Sequence, residues 1–280
     1  MTEIAILGPR GSGKTTYLKA LAHLSKDKTI FPGLHISILN DHNTETLVNI
    51  TDDSVKLTEI AGQTQVGNEP TYGFTIDISA GKYGAKKSKK IKLSFVDYAG
   101  EIFDNIARRT NELIIKSSYI NQLLKVEAWM VMLMDFEPGK ADNEYKSILE
   151  NLWNQIIKEE KKNPPRKKLR IAIVMSKCER GELWPGRLDP DEDLFKVRLP
   201  KTYRYLTKTE KISSERLRFF ACSSFGVRGI QDPRPNRESF DNSSSEFRAI
   251  IREDCKWKPY GLIAPLYWLN TGKVLSDSSI

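Results

Sequence analysis

Cysteine is scarce in this chain and irregularly placed. The sequence has three cysteines, Cys178, Cys222 and Cys255, which lie far apart and form no C-x-x-C pair. An odd number at such spacing argues against a disulfide framework and against a zinc site. The sequence therefore favours a reducing compartment, and we expect the protein to be cytoplasmic.

Long hydrophobic runs are also lacking. No window approaches the roughly 18 uninterrupted apolar residues that suggest a transmembrane helix. The N-terminus leads straight into a strand pattern, without the charged start and apolar stretch of a signal peptide. With 280 residues, 39% of them hydrophobic and 29% charged, the composition is typical of a soluble globular protein that can bury a sizeable core.

Positive charge is in moderate excess, with a net charge of +8. Much of it lies in two runs, KKSKK at 86–90 and KKNPPRKKLR at 161–170. Nucleic acid or an anionic membrane surface would suit such runs, but neither is interleaved with the aromatic residues of single-strand binders. We therefore favour a solvated hairpin tip and a solvated loop over either interface.

Short apolar runs alternate with helical patterns along most of the chain. This alternation predicts an α/β fold with a mainly parallel central sheet, one antiparallel edge hairpin and helices between the strands. The predicted strands are 4–7, 74–80, 91–96, 128–134, 169–175 and 217–221. The predicted helices are 14–25, 112–125, 145–161 and a final packing helix in PYGLIAPLYWLN, whose Leu262, Leu266 and Trp268 are expected in the core.

Two long segments, at about 26–70 and 180–214, do not fit a minimal fold of this kind. Connections of this length are usually ordered insertions or functional elements. Because no repeat and no interdomain linker is evident, we expect a single domain over 1–280 with these two insertions. The first adjoins Thr71, where it would modify the neighbouring site or form a partner surface.

Residues 8–15 read GPRGSGKT and lie between a predicted strand and a predicted helix. Glycines in such a loop let the backbone wrap around phosphates with its N–H groups pointing inward, and the helix adds its positive N-terminal end. In this pattern Lys14 reaches the β- and γ-phosphates, and the Thr15 hydroxyl binds Mg²⁺. The predicted phosphate-binding residues are Gly8, Gly11, Ser12, Gly13, Lys14, Thr15 and Thr16.

A second element is KLSFVDYAGE at 92–101, in which Asp97 ends an apolar strand and Gly100 follows shortly after. An aspartate in this place holds Mg²⁺ through water, and the glycine N–H faces the γ-phosphate. The spacing therefore predicts that Asp97 and Gly100 complete the metal and phosphate side of the site.

The run EPTYGFTIDISA followed by KKIKLSFVDYAGE resembles the switch I, hairpin and switch II region of Ras-like and Arf-like GTPases. These belong to the TRAFAC class of P-loop GTPases, and the inserted segments and the C-terminal ending look like its bacterial double-GTPase-like members. The resemblance implies that Thr71 is the switch I threonine, which touches Mg²⁺ and the γ-phosphate. The alternative is that Thr71 is an ordinary turn residue after Pro70.

The same resemblance implies a base-recognition motif. These families carry [NT]-K-x-D after one strand and a short S-A-like loop after the next, where this chain has Ser176-Lys177-Cys178-Glu179 and Ser223-Ser224. By this match Glu179 accepts from the guanine N1–H and exocyclic amine, Lys177 lies along the base, and the Ser223-Ser224 backbone meets the guanine O6. Because Glu replaces Asp and Ser replaces Asn, we favour guanine over adenine, with an incidental polar loop as the alternative.

Turnover depends on two further departures from these families. Glu101 stands where they have Gln after D-x-A-G, and Arg10 stands where Ras-like proteins mostly have Gly. Arg10 has three possible roles. It would crowd the γ-phosphate and slow hydrolysis, or it would neutralise charge in the transition state as a cis arginine. In the third, its side chain would point to solvent or pair with a carboxylate such as Glu101. The candidate catalytic residues are therefore Arg10, Lys14, Gly100 and Glu101.

The resemblance implies a GTPase switch that binds GTP or GDP with Mg²⁺, hydrolyses GTP, and signals to a protein partner through the segments near Thr71 and Gly100. One alternative is a nucleotide-binding interaction module with little or no hydrolysis. Another is an ATPase or a phosphotransferase that uses the same phosphate loop, which we rank last because nothing specifies an acceptor.

Overall fold

The computed structural model describes residues 2–26, 30–31, 34–38, 43–45, 70–80, 87–97, 103, 122–135, 141–162, 169–229, 231–240, 248–252 and 255–275. The strands in these ranges are β1 (Thr2–Leu7), β2 (Leu34–Ile38), β3 (Thr71–Ala80), β4 (Lys87–Asp97), β5 (Ala128–Leu133), β6 (Arg170–Met175), β7 (Leu217–Ala221), β8 (Arg237–Phe240) and β9 (Arg248–Ile251). The longer helices are α1 (Lys14–Lys26), α2 (Asp142–Lys162) and α3 (Ile263–Thr271). Short helical turns span Pro185–Leu188, Pro190–Phe195, Lys196–Arg198, Pro200–Arg204 and Tyr205–Thr209.

The central sheet has seven strands in the order β2-β3-β4-β1-β5-β6-β7. Strands β4, β1, β5, β6 and β7 run parallel, whereas β2 and β3 are antiparallel to their neighbours. The predicted α/β fold with a mainly parallel sheet and an antiparallel edge hairpin is confirmed. The hairpin is extended by β2, which comes from the 26–70 segment and was not predicted.

Helices cover both faces of the sheet because alternate strand residues point to opposite sides. In β1, Ile4 and Ile6 pack in one hydrophobic cluster with residues of α1 and α3. Ala5 and Leu7 pack in a second cluster with residues of α2. These two clusters give the fold three layers, with residues 4–7 of β1 buried in the middle.

The predicted C-terminal packing helix is α3. Leu262, Leu266 and Trp268 are at most 1% exposed, as expected for core residues. The predicted helix 112–125 lies mostly outside the described residues. The antiparallel β8–β9 hairpin was not predicted, because its RESF and RAII strands are short and carry a weak alternation signal.

The 180–214 segment consists largely of the short helical turns. Asp142, the first residue of α2, holds it in place by accepting hydrogen bonds from the backbone N–H groups of Lys201 (2.8 Å) and Thr202 (2.9 Å). These bonds satisfy N–H groups at the start of the Pro200–Arg204 turn, which lack a helical partner of their own. None of the helices in the described ranges is both long and apolar enough to cross a membrane.

Candidate nucleotide site

The carboxyl ends of the parallel strands meet at one edge of the sheet, where open α/β folds bind ligands. Ile6 of β1 lies opposite Asp97 of β4, and Val96 lies opposite Thr71, the first residue of β3. The backbones of Thr71 and Asp97 therefore lie beside the loop that follows β1. The antiparallel direction of β3 is what brings its start to this edge.

The loop after β1 requires glycine. Gly8, Gly11 and Gly13 have φ angles of +148°, +76° and +90°, values that side chains with a Cβ rarely adopt. A Cβ on Gly8 would also lie 2.2 Å from the Met132 carbonyl oxygen of β5. The loop thus lies tightly against the neighbouring strand, and its conformation depends on these glycines.

Polar groups inside this loop are suited to an anion. Lys14 is 8% exposed, and its ammonium donates to the carbonyl oxygens of Gly8 (2.9 Å) and Pro9 (3.2 Å). The Ser12 hydroxyl is fully buried and has no hydrogen-bond partner among the described residues. A buried hydroxyl without a partner is costly, so an acceptor beside Ser12 would be favourable. A phosphate oxygen is such an acceptor, and the loop therefore fits a phosphate group.

The predicted metal ligands fit Mg²⁺ in their chemistry. Thr15 is the second residue of α1 and Asp97 ends β4, and hydroxyl and carboxylate oxygens are ligands that Mg²⁺ prefers. Thr71 is exposed, and its carbonyl accepts from the Asn43 side-chain amide at 3.3 Å. The Asp97 side chain lies outside the described part, so these three ligands stay predictions.

Lys177 connects the base motif to the phosphate loop. A Cβ on Gly13 would lie 4.0 Å from the Lys177 Cε, so the lysine side chain passes beside the loop. Its backbone is left-handed, with φ of +59°, which costs a non-glycine residue about 1 kcal/mol. Such strain clusters at ligand sites. The Ser176 hydroxyl, one residue earlier, donates to the Leu133 carbonyl at 3.0 Å and ties the motif to β5.

Glu179 and Ser223 are bonded to each other. The Glu179 side chain is 1% exposed, and the Ser223 hydroxyl donates to its Oε2 at 2.7 Å. The Ser223 hydroxyl in turn accepts from the Gly226 N–H at 2.8 Å. The neighbouring Ser224 carbonyl accepts from the Trp257 indole at 2.8 Å. The structure thus brings Glu179 together with the Ser223-Ser224 loop, and a base reaches this carboxylate only if the residues that cover it shift.

Lys177 should make stability depend on pH. Burial lowers its pKa to about 8, the Glu179 charge raises it in part, and Arg237 and Arg180 lower it further. Below pH 8 the ammonium is protonated in both states, so its contribution is constant. Between pH 8 and about 10.4 the Lys177 side chain is mostly protonated in the unfolded chain and mostly neutral in the folded one. Its contribution to the free energy of unfolding therefore rises with pH.

We therefore expect the nucleotide-free wild type to gain stability relative to Lys177→Met across this window. The gain is at most about 1.4 kcal/mol per pH unit, the value for one proton. Urea unfolding at several pH values between about 7 and 10 measures it. Lys208→Met, at an exposed lysine, is the control and should show no such trend. If the difference in free energy of unfolding between the wild type and Lys177→Met did not change with pH, the lowered pKa of Lys177 would be contradicted.

Two charged residues near this edge were not singled out from the sequence. Arg237 of β8 lies with its Nε 3.5 Å from the Glu179 Oε1, although the two are far apart in the chain. Asp135 follows β5 and is 2% exposed. Burial raises its pKa, and Arg198 and Arg180 oppose that shift. The apolar run AWMVMLMD, which ends in an acid as the β4 run does, was a signal for Asp135; no local signal marks Arg237.

The candidate catalytic residues are described only in part. Arg10 is exposed at the turn of the phosphate loop, whereas Gly100 and Glu101 lie outside the described residues. The suggested pairing of Arg10 with Glu101 therefore stays a hypothesis. Single and double substitution with single-turnover hydrolysis remains its test, because purely additive effects would count against coupling.

No protein-family model matches the chain, and no curated protein matches it. Among solved structures, the signal recognition particle receptor SRb-GTP/SRX complex from Chaetomium thermophilum is similar, with a TM-score of 0.42 and 14% identity over 82% of this chain and 93% of that one. The Ski7 GTPase-like domain of S. cerevisiae, bound to GDP and inorganic phosphate, has a TM-score of 0.42 and 12% identity over 98% of this chain and 51% of that one.

Sup35 complexed with GDP has a TM-score of 0.32 and 10% identity over 81% of this chain and 38% of that one. This chain thus spans about half of the Ski7 chain and less of the Sup35 chain. These three proteins bind guanine nucleotides according to their descriptions. At such low TM-scores and identities, the similarities carry no inference about what this chain binds or does.

Proposed function

We propose that this protein binds a guanine nucleotide with Mg²⁺ and hydrolyses GTP as a molecular switch. The observation that carries the proposal is the approach of Lys177 to Gly13, where a Cβ added to the glycine would lie 4.0 Å from the Lys177 Cε. It joins the phosphate loop and the base motif at one edge of the sheet. A nucleotide also has a phosphate end and a base end, and the two sets of residues are suited to one end each.

The phosphate end relies on the loop backbone, Lys14 and Ser12. The Lys14 ammonium donates to the loop's own carbonyl oxygens. We propose that it exchanges these neutral acceptors for phosphate oxygens, which form stronger charge-assisted hydrogen bonds. The buried Ser12 hydroxyl and the N–H groups at the start of α1 add further donors.

The base end relies on Glu179 and Lys177. A carboxylate accepts two hydrogen bonds side by side, and guanine offers the matching pair of donors at N1 and the exocyclic amine. Adenine offers an acceptor at N1 instead, so it cannot make this pair. The Lys177 stem would lie along the base, and the Ser223-Ser224 backbone would meet the guanine O6.

Magnesium, when bound, would neutralise charge on the phosphate oxygens, with Thr15, Asp97 and Thr71 as its proposed ligands. Thr71 is exposed and begins β3. We propose that it and the segment near Gly100 respond to the nucleotide state and present that state to a protein partner. Arg10 and Glu101 are the residues that we expect to set the hydrolysis rate.

The experiment that tests this function identifies the nucleotide carried by the purified protein. The protein is denatured, the released nucleotide is identified by chromatography, and phosphate release is then measured with GTP and with ATP in the presence of Mg²⁺. GDP in the released fraction and faster phosphate release from GTP are the expected results. Intact GTP with no phosphate release would instead favour a binding module, and ADP or ATP would contradict the guanine assignment.

A further inference from the structure

The Glu179 carboxylate has a separate protein partner on each oxygen. Ser223 donates its hydroxyl to Oε2 at 2.7 Å, and the Arg237 guanidinium lies 3.5 Å from Oε1 through its Nε. The carboxylate is 1% exposed and the arginine side chain 26% exposed. This is therefore a largely buried ion pair, in which the positive charge of Arg237 compensates part of the negative charge of Glu179.

The fold brings Arg237 to this place through the same loop that supplies Ser223. The Asn236 N–H donates to the Gly226 carbonyl at 3.1 Å, and the Asn236 amide donates to the Lys256 carbonyl at 3.1 Å. Gly226 has φ of +73°, and a Cβ there would lie 1.9 Å from the Lys258 carbonyl oxygen. The loop, the start of β8 and the segment before α3 are thus in tight contact, which fixes the approach of Arg237.

The Glu179 carboxylate has enough acceptor sites for its protein partners and for the two donors of guanine. An ionised carboxylate has about four lone-pair sites, two on each oxygen. Among the described residues, the Ser223 hydroxyl takes one site on Oε2, and Arg237 lies beside Oε1 as an ion-pair partner at 3.5 Å. These contacts leave acceptor sites on both oxygens, which guanine reaches once the residues that cover the carboxylate shift. Guanine needs one site on each oxygen, because its N1–H and its exocyclic amine lie side by side.

A glutamate in this position needs more support than an aspartate would. Its extra methylene adds a rotatable bond, and ordering such a side chain costs conformational entropy. Partners on both oxygens fix the plane of the carboxylate, whereas Ser223 alone would leave it free to turn about one contact. The positive charge of Arg237 also compensates a carboxylate that burial would otherwise penalise.

We propose that Arg237 is a positioning residue for base recognition, which holds Glu179 so that both of its oxygens face guanine. This inference rests on the proposed function and deepens it by assigning base selectivity to a residue of the β8–β9 hairpin. In this role Arg237 acts through Glu179.

The test compares the affinities of the full chain for GDP, IDP and ADP. Hypoxanthine in IDP keeps the N1–H of guanine but lacks its exocyclic amine, so the ratio of the Kd for IDP to that for GDP reports the second hydrogen bond to Glu179. The variants are Arg237→Met, which keeps the apolar length without the charge, and Arg237→Lys. Arg252→Met is the matched control, because Arg252 makes a comparable pair with Glu238 at 2.8 Å in the same hairpin.

We expect the IDP-to-GDP ratio to fall roughly tenfold in Arg237→Met, the size of one hydrogen bond to a charged group. It should recover in part in Arg237→Lys and stay at the wild-type value in Arg252→Met. An unchanged ratio in Arg237→Met would overturn the inference. A similar loss for GDP and IDP together, with a lower Tm, would overturn it too, since it would mean that Arg237 only stabilises the hairpin.

The wild type separates this outcome from failure of the proposed function. If the wild type binds GDP no better than ADP, the guanine assignment and the inference fail together. If the wild type prefers GDP and Arg237→Met keeps the full IDP-to-GDP ratio, the inference alone fails.

Discussion

Lys14→Ala is expected to abolish nucleotide binding. The Lys14 ammonium is the buried cation of the predicted phosphate loop and already lies within it, 2.9 Å from the Gly8 carbonyl oxygen. Its charge-assisted bonds to phosphate oxygens are worth about 1.5–3 kcal/mol each, so the loss of two of them corresponds to at least about a hundredfold in Kd. Titration of the protein with fluorescent GDP and GTP measures the effect.

The control for this variant is Lys26→Ala, at the exposed far end of the same helix. It removes the same charge and should leave both affinities unchanged. Lys14→Ala also loses two bonds to loop carbonyls, so thermal unfolding is measured alongside, with an expected loss of about 1 kcal/mol per bond. A folded Lys14→Ala protein that binds GDP as tightly as the wild type would show that this loop is not the phosphate site.

Glu179→Ala is expected to remove the preference for guanine. The substitution deletes both acceptors for the N1–H and the exocyclic amine, which corresponds to roughly a hundredfold in the Kd for GDP. The affinity for ADP should change little, because adenine does not present this donor pair. Glu179→Gln keeps the shape but replaces one acceptor oxygen with an NH₂ donor, so it should favour xanthosine diphosphate, which carries an oxygen in place of the exocyclic amine.

Glu238→Ala is the matched control for Glu179. Both carboxylates face an arginine of the β8–β9 hairpin, but Glu238 is exposed and lies 2.8 Å from Arg252. Its removal should change neither the GDP affinity nor the ratio between GDP and ADP. If Glu179→Ala bound GDP as the wild type does, or lost GDP and ADP equally, the base-recognition assignment would be wrong.

Much of the fold followed from local sequence patterns. The apolar strand 128–134, the amphipathic helix at 145–161 and the C-terminal helix were all predicted close to their observed bounds, because periodicity is a property of neighbouring residues. Strand β2 was missed although LHISI alternates buried and exposed positions. Its five residues lie in a long segment without other strand signals, and pairing with β3 is what makes it a strand.

The residues of the candidate site also differ in how they were predicted. Gly8, Gly11, Gly13 and Lys14 were found from spacing, because a phosphate loop is built from consecutive residues whose backbone conformation only glycine adopts readily. The S-K-C-E motif was found only through the resemblance to GTPases. The phosphate-binding and base-recognition roles stay predictions, as do the metal ligands and the role of Arg10.

The sequence by itself determined the α/β class and the glycine-rich loop between a strand and a helix, and it predicted the phosphate-binding role of that loop. These depend on interactions within a few residues. Only the tertiary structure decided that Lys177 passes beside Gly13, that Ser223 donates to Glu179 and that Arg237 faces the same carboxylate. Those contacts join residues far apart in the chain, and they follow from strand order and tight backbone crossings such as the one at Gly226, which no local pattern encodes.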